Sequence, residues 1–287
     1  MRASTLALAA GRRHSIGRRR DGTVLAAGNN AAGECQVGWW EDVVAVAAGN
    51  VHTGANTGRS HTVGLRSDGT VLATGWKGDG QCDVAAWRDV TAVAAGWRRT
   101  LGLLANGTVL AAGRSSEGQC DVQSWREMVA LSCGDWHSVG VRVDGSALAA
   151  GNNRRGQCAV GNWRDLTAVA AGYLHTVGLR RDGRVLATGD RTTGACNVGE
   201  WEEVVALAAG SYHTVGATAS GRVLAAGDNS LGQCDVGDWQ DIVAVAAGST
   251  HTLGLRADGT VVSAGNNASC QCDVDSWSGI QVPSARA

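Results

Sequence analysis

Short apolar runs separated by glycine-containing turns recur along the whole chain. Within residues 43–75, for example, VVAVAAG precedes HTVGLR, and a DG pair then leads into TVLATG. Runs of about five residues rich in Val, Leu and Thr, joined by such turns, are typical of antiparallel strands. The DG pair supplies the positive φ that a two-residue hairpin needs. We therefore predict an all-β protein with four short strands in each copy of the pattern.

The pattern is a repeat with a period of 38 residues. The glycine that ends the AAG phrase or its variant marks each copy, and its spacing is 38 residues except for 47 between Gly49 and Gly96. The extra 9 residues form an insertion around residues 51–60 in the second copy. Seven radially arranged copies predict a single domain over residues 1–287, a seven-bladed β-propeller with four-stranded blades. The seven marker glycines are Gly11, Gly49, Gly96, Gly134, Gly172, Gly210 and Gly248.

The two ends of the chain complement one another. The first copy starts late, at Thr5, whereas the last copy runs on from Trp277 to Ile280. Aligned on the repeat, Ile280 occupies the register of Thr5. We therefore expect the N- and C-terminal segments to close the ring together. The alanine-rich first strand of each copy is expected nearest the axis, because only small side chains fit where strands crowd.

Composition excludes several classes of function. A net charge of −1 argues against nucleic acid, because phosphate-backbone binders normally carry a strong basic excess. The chain has no apolar run of the length of a membrane span and no signal-peptide core, so we expect a cytoplasmic protein that does not bind membranes. We also expect a monomer. Seven of the nine cysteines recur at one repeat position, which favours reduced thiols over a disulfide framework.

Three residue types recur in step with the repeat and are interpreted as scaffold. Each repeat histidine is expected to bond the backbone of its own blade, each cysteine to be a small buried hydrophobe, and each tryptophan to pack between blades. No metal site is predicted, since zinc-ligand spacings are absent, and no cofactor is predicted, since no phosphate-loop or GxGxxG motif occurs. The six repeat histidines are His14, His61, His137, His175, His213 and His251.

The phrase AAGxxHTVGLRxDGTVLAAGxNxxGQ resembles the repeat of the regulator of chromosome condensation family, and the resemblance covers essentially the whole chain. It implies a seven-bladed propeller. Family members include a nuclear guanine-nucleotide exchange factor, propeller-type β-lactamase inhibitor proteins and many bacterial proteins of unknown role. This chain carries GQCDV followed by Trp where the inhibitors have a Pro-containing segment, and it lacks the basic character of a chromatin-docked factor. Neither function transfers on the fold alone.

Candidate binding residues lie where the copies differ. The turn after AAG and the turn after TVLAAG are expected on one end of the ring, and the DG turns and Trp segments on the other. The variable turns carry an excess of Arg and five of the six non-repeat aromatic residues, and these residue types dominate binding hot spots. The predicted binding residues are Arg12, Arg13, Trp76, Trp97, Arg98, Arg99, Arg114, Asp135, Trp136, Tyr173, Arg191 and Tyr212.

Three functions remain open from the sequence. The leading hypothesis is a binding propeller whose Arg- and aromatic-rich end grips a protein partner or a small anionic ligand. The second is a cofactor-independent enzyme with a pocket at the same end and acid/base chemistry from His52, Asp135 or Glu117, with Cys133 as an irregular thiol. The third is a nucleotide-exchange factor that uses the insertion as a wedge. The insertion itself is open to interpretation as a lid, a wedge or a neutral duplication.

Overall fold

The computed structural model describes residues 6–54 and 59–283, which form seven antiparallel sheets arranged as a ring. Each sheet is one repeat and has three strands in the order first, middle, outer. The first strands of neighbouring blades contact one another all the way round, from the first blade to the seventh and back. The strands are β1 Leu8–Ala10, β2 His14–Arg18 and β3 Val24–Gly28 in blade one; β4 Val43–Ala48, β5 His61–Arg66 and β6 Val71–Gly75 in blade two; β7 Val90–Gly96, β8 Arg99–Leu104 and β9 Val109–Gly113 in blade three; β10 Met128–Cys133, β11 His137–Arg142 and β12 Ala147–Gly151 in blade four; β13 Leu166–Ala171, β14 His175–Arg180 and β15 Val185–Gly189 in blade five; β16 Val204–Ala209, β17 His213–Thr218 and β18 Val223–Gly227 in blade six; and β19 Ile242–Ala247, β20 His251–Arg256 and β21 Val261–Gly265 in blade seven.

The blades have three strands each, where the sequence predicted four. The segment after each outer strand makes successive turns instead, as in the bonds from Gly33 N to Asn30 O, Gln36 N to Gly33 O and Trp40 N to Val37 O. Gly33 has a φ of 85°, which an extended strand cannot contain. The all-β propeller class is confirmed, while the segment that carries the repeat cysteine is a loop of successive turns.

The core lies between neighbouring blades. Trp40, at the end of the first repeat, is 1% exposed and packs with Ile16 of blade one and Val46 of blade two. Its ring also lies over Gly64, where a Cβ atom would come within 2.6 Å of the indole. The prediction that the repeat tryptophans pack between blades is confirmed, and the glycine in the middle strand is required because the tryptophan occupies the space of its side chain.

The repeat histidines do not bond their own blade's backbone, so that expectation is wrong. Each Nε2 reaches a hydroxyl on the middle strand of the next blade; His14, for instance, contacts Thr62 Oγ1 at 3.0 Å. Thr62 in turn donates to Glu34 O at 2.6 Å, so the histidine nitrogen must be the donor of the first bond. The histidines therefore tie neighbouring blades together. The other pairs are His61 with Thr100, His137 with Thr176, His175 with Thr214, His213 with Thr252 and His251 with Ser15.

The C-terminal segment closes the ring as predicted. Ile280 forms an antiparallel bridge with Arg19 of blade one, and Gln281 N donates to Arg18 O at 3.1 Å. Trp277 lies over Gly17, as the repeat tryptophans lie over the middle-strand glycines of every other blade but blade four, where Met128 lies over Gly140. Thr5, the N-terminal residue of the predicted register, lies outside the described residues. The last repeat thus completes the sheet that the first repeat leaves short.

All nine cysteines are free. Each repeat cysteine directs its Sγ to the carbonyl of the residue that follows the outer strand, as Cys120 does to Arg114 O at 3.1 Å. Burial raises the pKa of the Cys35 thiol to about 12 and that of Cys82 to about 11. The thiols therefore hold the turn after the outer strand in place. Within the described ranges, no helix is long and apolar enough to span a membrane.

Candidate functional site

Tryptophan and arginine side chains alternate along one end of the ring. The turn between the first and middle strands and the turn after the outer strand both open there, and we call it the variable end. The Arg98 guanidinium lies 4.5 Å from the Trp76 ring centroid and 4.7 Å from that of Trp97. The Arg114 guanidinium lies 4.8 Å from the Trp97 centroid and 5.3 Å from that of Trp136. These five side chains, from blades two to four, are the Arg–Trp row.

The Arg–Trp row is held by stacking of cations on aromatic faces. Each such contact stabilises by about 0.5–1 kcal/mol at an exposed site. Trp97 and Trp136 also meet edge to face, with ring centroids 4.4 Å apart and an interplanar angle of 75°. Arg98 adopts a left-handed φ of 61°, an uncommon conformation for a side chain of its size. This turn places Arg98 against the rings of Trp76 and Trp97.

The insertion of blade two covers the mouth of the axial channel. Asn50 Oδ1 and the carbonyl of Val51 accept bonds from Ser249 of blade seven, and the Val51 side chain is 1% exposed. Arg12 of blade one, which adjoins blade seven in the ring, donates to Thr53 O at 3.3 Å. Residues 55–58 of the insertion lie outside the described residues. The described part therefore acts as a cover fixed to blades one and seven.

His52 anchors this cover to blade four. Its backbone N–H and its Nδ1 contact the same oxygen, Asp135 Oδ2, at 2.6 and 2.8 Å. Asp135 is fully buried, which raises the pKa of its carboxyl, while the bonds from His52 and the charge of Arg99 oppose that rise. A buried carboxylate that accepts two bonds from one residue fixes that residue in position.

The His52 ring extends the aromatic surface toward blades five and six. It stacks on Tyr173 with centroids 4.4 Å apart and meets the edge of Trp97 at 5.6 Å. Tyr173 meets Tyr212 of blade six at 5.5 Å. The structure thus brings together the aromatic residues predicted from the variable turns, and the insertion supplies the ring that joins them.

Some of the predicted binding residues lie beneath this surface. Arg99, which was expected on the binding face, is 0% exposed because it occupies the repeat-histidine position of blade three. Its guanidinium donates to the carbonyls of Gly134, Asp135 and His137 and to Ser138 Oγ. Arg12 and Asp135 are also buried, beneath the insertion, and Trp97 is 7% exposed. The half-buried or exposed members are Arg13, Trp76, Arg98, Arg114, Trp136, Tyr173, Arg191 and Tyr212.

The candidate catalytic groups do not all converge. His52 and Asp135 meet, but Glu117 accepts a bond from Asn152 Nδ2 at 2.8 Å in the turns of blades three and four. Cys133 is buried at the end of β10, and burial raises its thiol pKa. Among the described residues, no group of three His, Cys, Asp or Glu side chains could hold a metal ion.

Little open volume accompanies the Arg–Trp row. The crevice between the insertion and blade three, which Val51, Trp97 and Arg98 help to line, has no space for a water molecule among the described atoms. A groove of about 510 Å³ lies between the turns that follow the outer strands of blades one and two, where Asn30, Ala32 and Lys77 line it, and no member of the Arg–Trp row lines it. At the Arg–Trp row, the variable end therefore has no deep pocket.

Sequence reasoning missed Ser249, one of the residues that receive the insertion. Ser249 is 1% exposed and bonds Asn50 and Val51, although it sits in a variable turn with no aromatic or charged neighbour to mark it. The only available signal was the insertion length, since 9 extra residues in a turn can reach across a propeller mouth. The position of Arg99 had a clearer signal, namely its alignment with the buried histidines.

The fold is shared with solved propellers. The chain is similar to the ectodomain of the Arabidopsis thaliana receptor kinase ACR4, with 24% identity over 77% of this chain and 84% of that one and a TM-score of 0.63. Prp20p of Saccharomyces cerevisiae is 17% identical over 86% of this chain and 81% of its own, with a TM-score of 0.65. The ectodomain of the Physcomitrella patens receptor kinase CR4 is 16% identical over 92% and 73%, with a TM-score of 0.68. No curated protein matches the sequence.

One repeat family matches most of the chain. It is described as the Regulator of chromosome condensation (RCC1) repeat, and its six matches leave out residues 35–89, which include the insertion. The matched residues are 6–34, 90–119, 128–157, 166–194, 204–233 and 242–271. These matches follow the blades of the ring, and the chain belongs to the RCC1 repeat family.

Proposed function

We propose that this propeller is a binding module that grips a protein partner with its variable end. The observation that carries the proposal is the Arg–Trp row, in which two guanidinium groups alternate with three indole rings on a rigid frame. Trp, Tyr and Arg are the residues over-represented at interface hot spots, because they bury large areas and make directional bonds.

The shape of the Arg–Trp row and of the axial mouth favours a protein over a small molecule. Small-molecule sites are usually concave cavities of several hundred Å³ that enclose most of the ligand. The insertion instead fills the axial mouth with Val51 and His52, and the crevice beside it has no free space among the described atoms. A protein partner can use such a surface, because its interface needs area and complementarity rather than depth.

Relatives of the same fold give general support. Prp20p has been described with its binding to Gsp1p and histones, and a second crystal structure shows Kap60 bound to it. Those partners belong to Prp20p. They support a protein partner for this propeller in general terms, while the site proposed for it comes from its own side chains.

The proposal is tested by comparing the two ends of the ring. A partner isolated with the purified protein is identified by mass spectrometry, and its affinity is measured for Trp136→Ala and Arg114→Glu. Each change should weaken binding at least about tenfold, as expected for hot-spot residues. The controls Asp68→Asn and Asp182→Asn lie in DG turns at the opposite end and should leave the affinity unchanged. If the controls weaken binding and the Arg–Trp variants do not, the proposed face is wrong.

A further inference from the structure

The guanidinium groups of the Arg–Trp row can donate hydrogen bonds only at their edges. The Arg98 guanidinium lies over the rings of Trp76 and Trp97, and that of Arg114 over the rings of Trp97 and Trp136. The rings contact the two cations, whose N–H groups point along the guanidinium plane. A planar fork presented in this way matches the geometry of a carboxylate, which accepts two parallel bonds.

Donor capacity remains at both forks. Arg114 uses Nε for a bond to Ser116 Oγ, and its terminal nitrogens have no hydrogen-bond partner among the described residues. Arg98 has one ion pair, with Asp79 at 3.4 Å, in which both side chains are about a quarter exposed. At 3.4 Å this partly exposed pair has a single long contact, so an incoming carboxylate can replace it.

At the variable end, the acidic side chains are bound by neighbouring groups, whereas several basic side chains are not. The acidic groups there are engaged by neighbouring donors: Asp190 accepts from Thr192, Asp228 from Ser230 and Gln233, and Glu117 from Asn152. Arg13, Lys77, Arg154 and Arg191 are exposed and have no ion pair among the described residues. The hydrogen-bonded carboxylates keep their charge, but exposed cationic side chains without an ion pair among the described residues are available at this end, although the whole chain is nearly neutral.

The spacing of the two forks suits an extended chain. Both guanidinium groups lie within 4.8 Å of the Trp97 centroid, so their central carbons are at most about 9.6 Å apart. Side chains at alternate positions of an extended segment project on one side about 6.6–7 Å apart. This upper limit leaves room for two acidic residues at positions i and i+2 of one extended segment to reach the two forks.

We propose that the partner presents an acidic, extended segment whose alternate carboxylates bind Arg98 and Arg114 side by side. This inference rests on the proposed function and adds the chemistry of the partner. Carboxylates are the source of negative charge to which the proposal commits, and a phosphorylated segment is the rival that the experiment distinguishes.

The probe is a fluorescein-labelled peptide in which Glu alternates with Ser, compared with matched Gln/Ser and phosphoserine/Ala peptides. Anisotropy of the intact protein should show that the Glu peptide binds, that the Gln peptide does not, and that added salt weakens the complex. Arg98→Lys and Arg114→Lys keep the charge but remove the planar fork, and each should weaken binding about tenfold. The control is Arg184→Lys, which alters an exposed arginine paired with Glu202 at the opposite end.

Three results would overturn the inference: equal binding of the Gln peptide, binding of the phosphoserine peptide alone, or an equal loss in the Arg184 control. Arg98→Gly serves as a second variant, because glycine accepts the left-handed φ of 61° and preserves the turn. If the peptides fail while Trp136→Ala still weakens the protein partner, the acidic segment is wrong and the proposed face stands. If the peptides do not bind and Trp136→Ala does not weaken partner binding either, the proposed function fails as well.

Discussion

Mild acid should unfold this propeller, because its blades are joined by neutral buried histidines. Burial lowers the pKa of His14, His137, His213 and His251 to about 3 and that of His61 and His175 to about 4. In the unfolded chain a histidine has a pKa of about 6.5. Between these values the unfolded state binds protons that the folded state excludes, so stability is lost as the pH falls below about 6.5.

The size of the effect follows from the number of histidines. At pH 5.5, one unit below the unfolded pKa, each unfolded histidine is about nine-tenths protonated, which favours unfolding by about 1.4 kcal/mol relative to neutral pH. Six such residues give about 8 kcal/mol, which is comparable to the whole stability of a typical domain, about 5–15 kcal/mol. Asp135 and Glu34, whose carboxyl pKa values are raised by burial, act in the opposite direction but are two groups against six.

Urea titrations between pH 5 and 8, followed by tryptophan fluorescence, measure this dependence. Near pH 5.5, the slope of the unfolding free energy against pH should correspond to the uptake of nearly six protons on unfolding. A matched variant, His213→Gln, can still donate to Thr252 and should lower the slope by one proton. A slope below two protons with the wild-type sequence would refute the reasoning, because the histidines would then be accessible or already charged in the folded ring.

Three further predictions concern closure and thiols. Deleting residues 277–287 should lower the melting temperature strongly, because blade one would lose its pairing with Ile280; an unchanged melting temperature would show that this pairing contributes nothing. In the native protein the exposed Cys270 should react first with a thiol reagent such as Ellman's reagent, and the seven repeat thiols slowly; one fast phase for all would contradict the structure. Cys270→Gly should stabilise by about 1 kcal/mol in chemical denaturation, because Cys270 has a φ of 63° where six blades have glycine, and Gly232→Cys should destabilise by a similar amount.

The repeat made the ring predictable, whereas contacts outside the repeat were not. A period of 38 residues specified seven blades and the register of Ile280, since every copy reports the same strand positions. The bond from His14 to Thr62 could not be predicted, because a single repeat does not show which side chains face the next blade. The path of the insertion depends on Asp135, 83 residues further along the chain, and no local pattern indicates that pair.

The departures from the repeat in blades three and four form one connected group. Arg99 replaces the histidine of its position, and its guanidinium donates to carbonyls of the turn that carries Asp135 and Trp136. Asp135 in turn accepts both bonds from His52 of the insertion. The buried arginine therefore supports the backbone beneath the Arg–Trp row and the anchor of the cover above the channel.

Restoring the repeat at this position tests whether that support matters for binding. Arg99→His introduces the residue that six other blades carry, and its Nε2 would meet Ser138 Oγ as the others meet their threonines. We expect the ring to fold, with a loss of about 1–3 kcal/mol, because the carbonyls of Gly134 and Asp135 lose their buried donors. Arg99→His should weaken partner binding, as Trp136→Ala does. The double variant should lose less binding free energy than the two single losses added together, because both changes act on one turn. Full affinity in Arg99→His would show that the arginine serves blade packing alone and that the row does not depend on it.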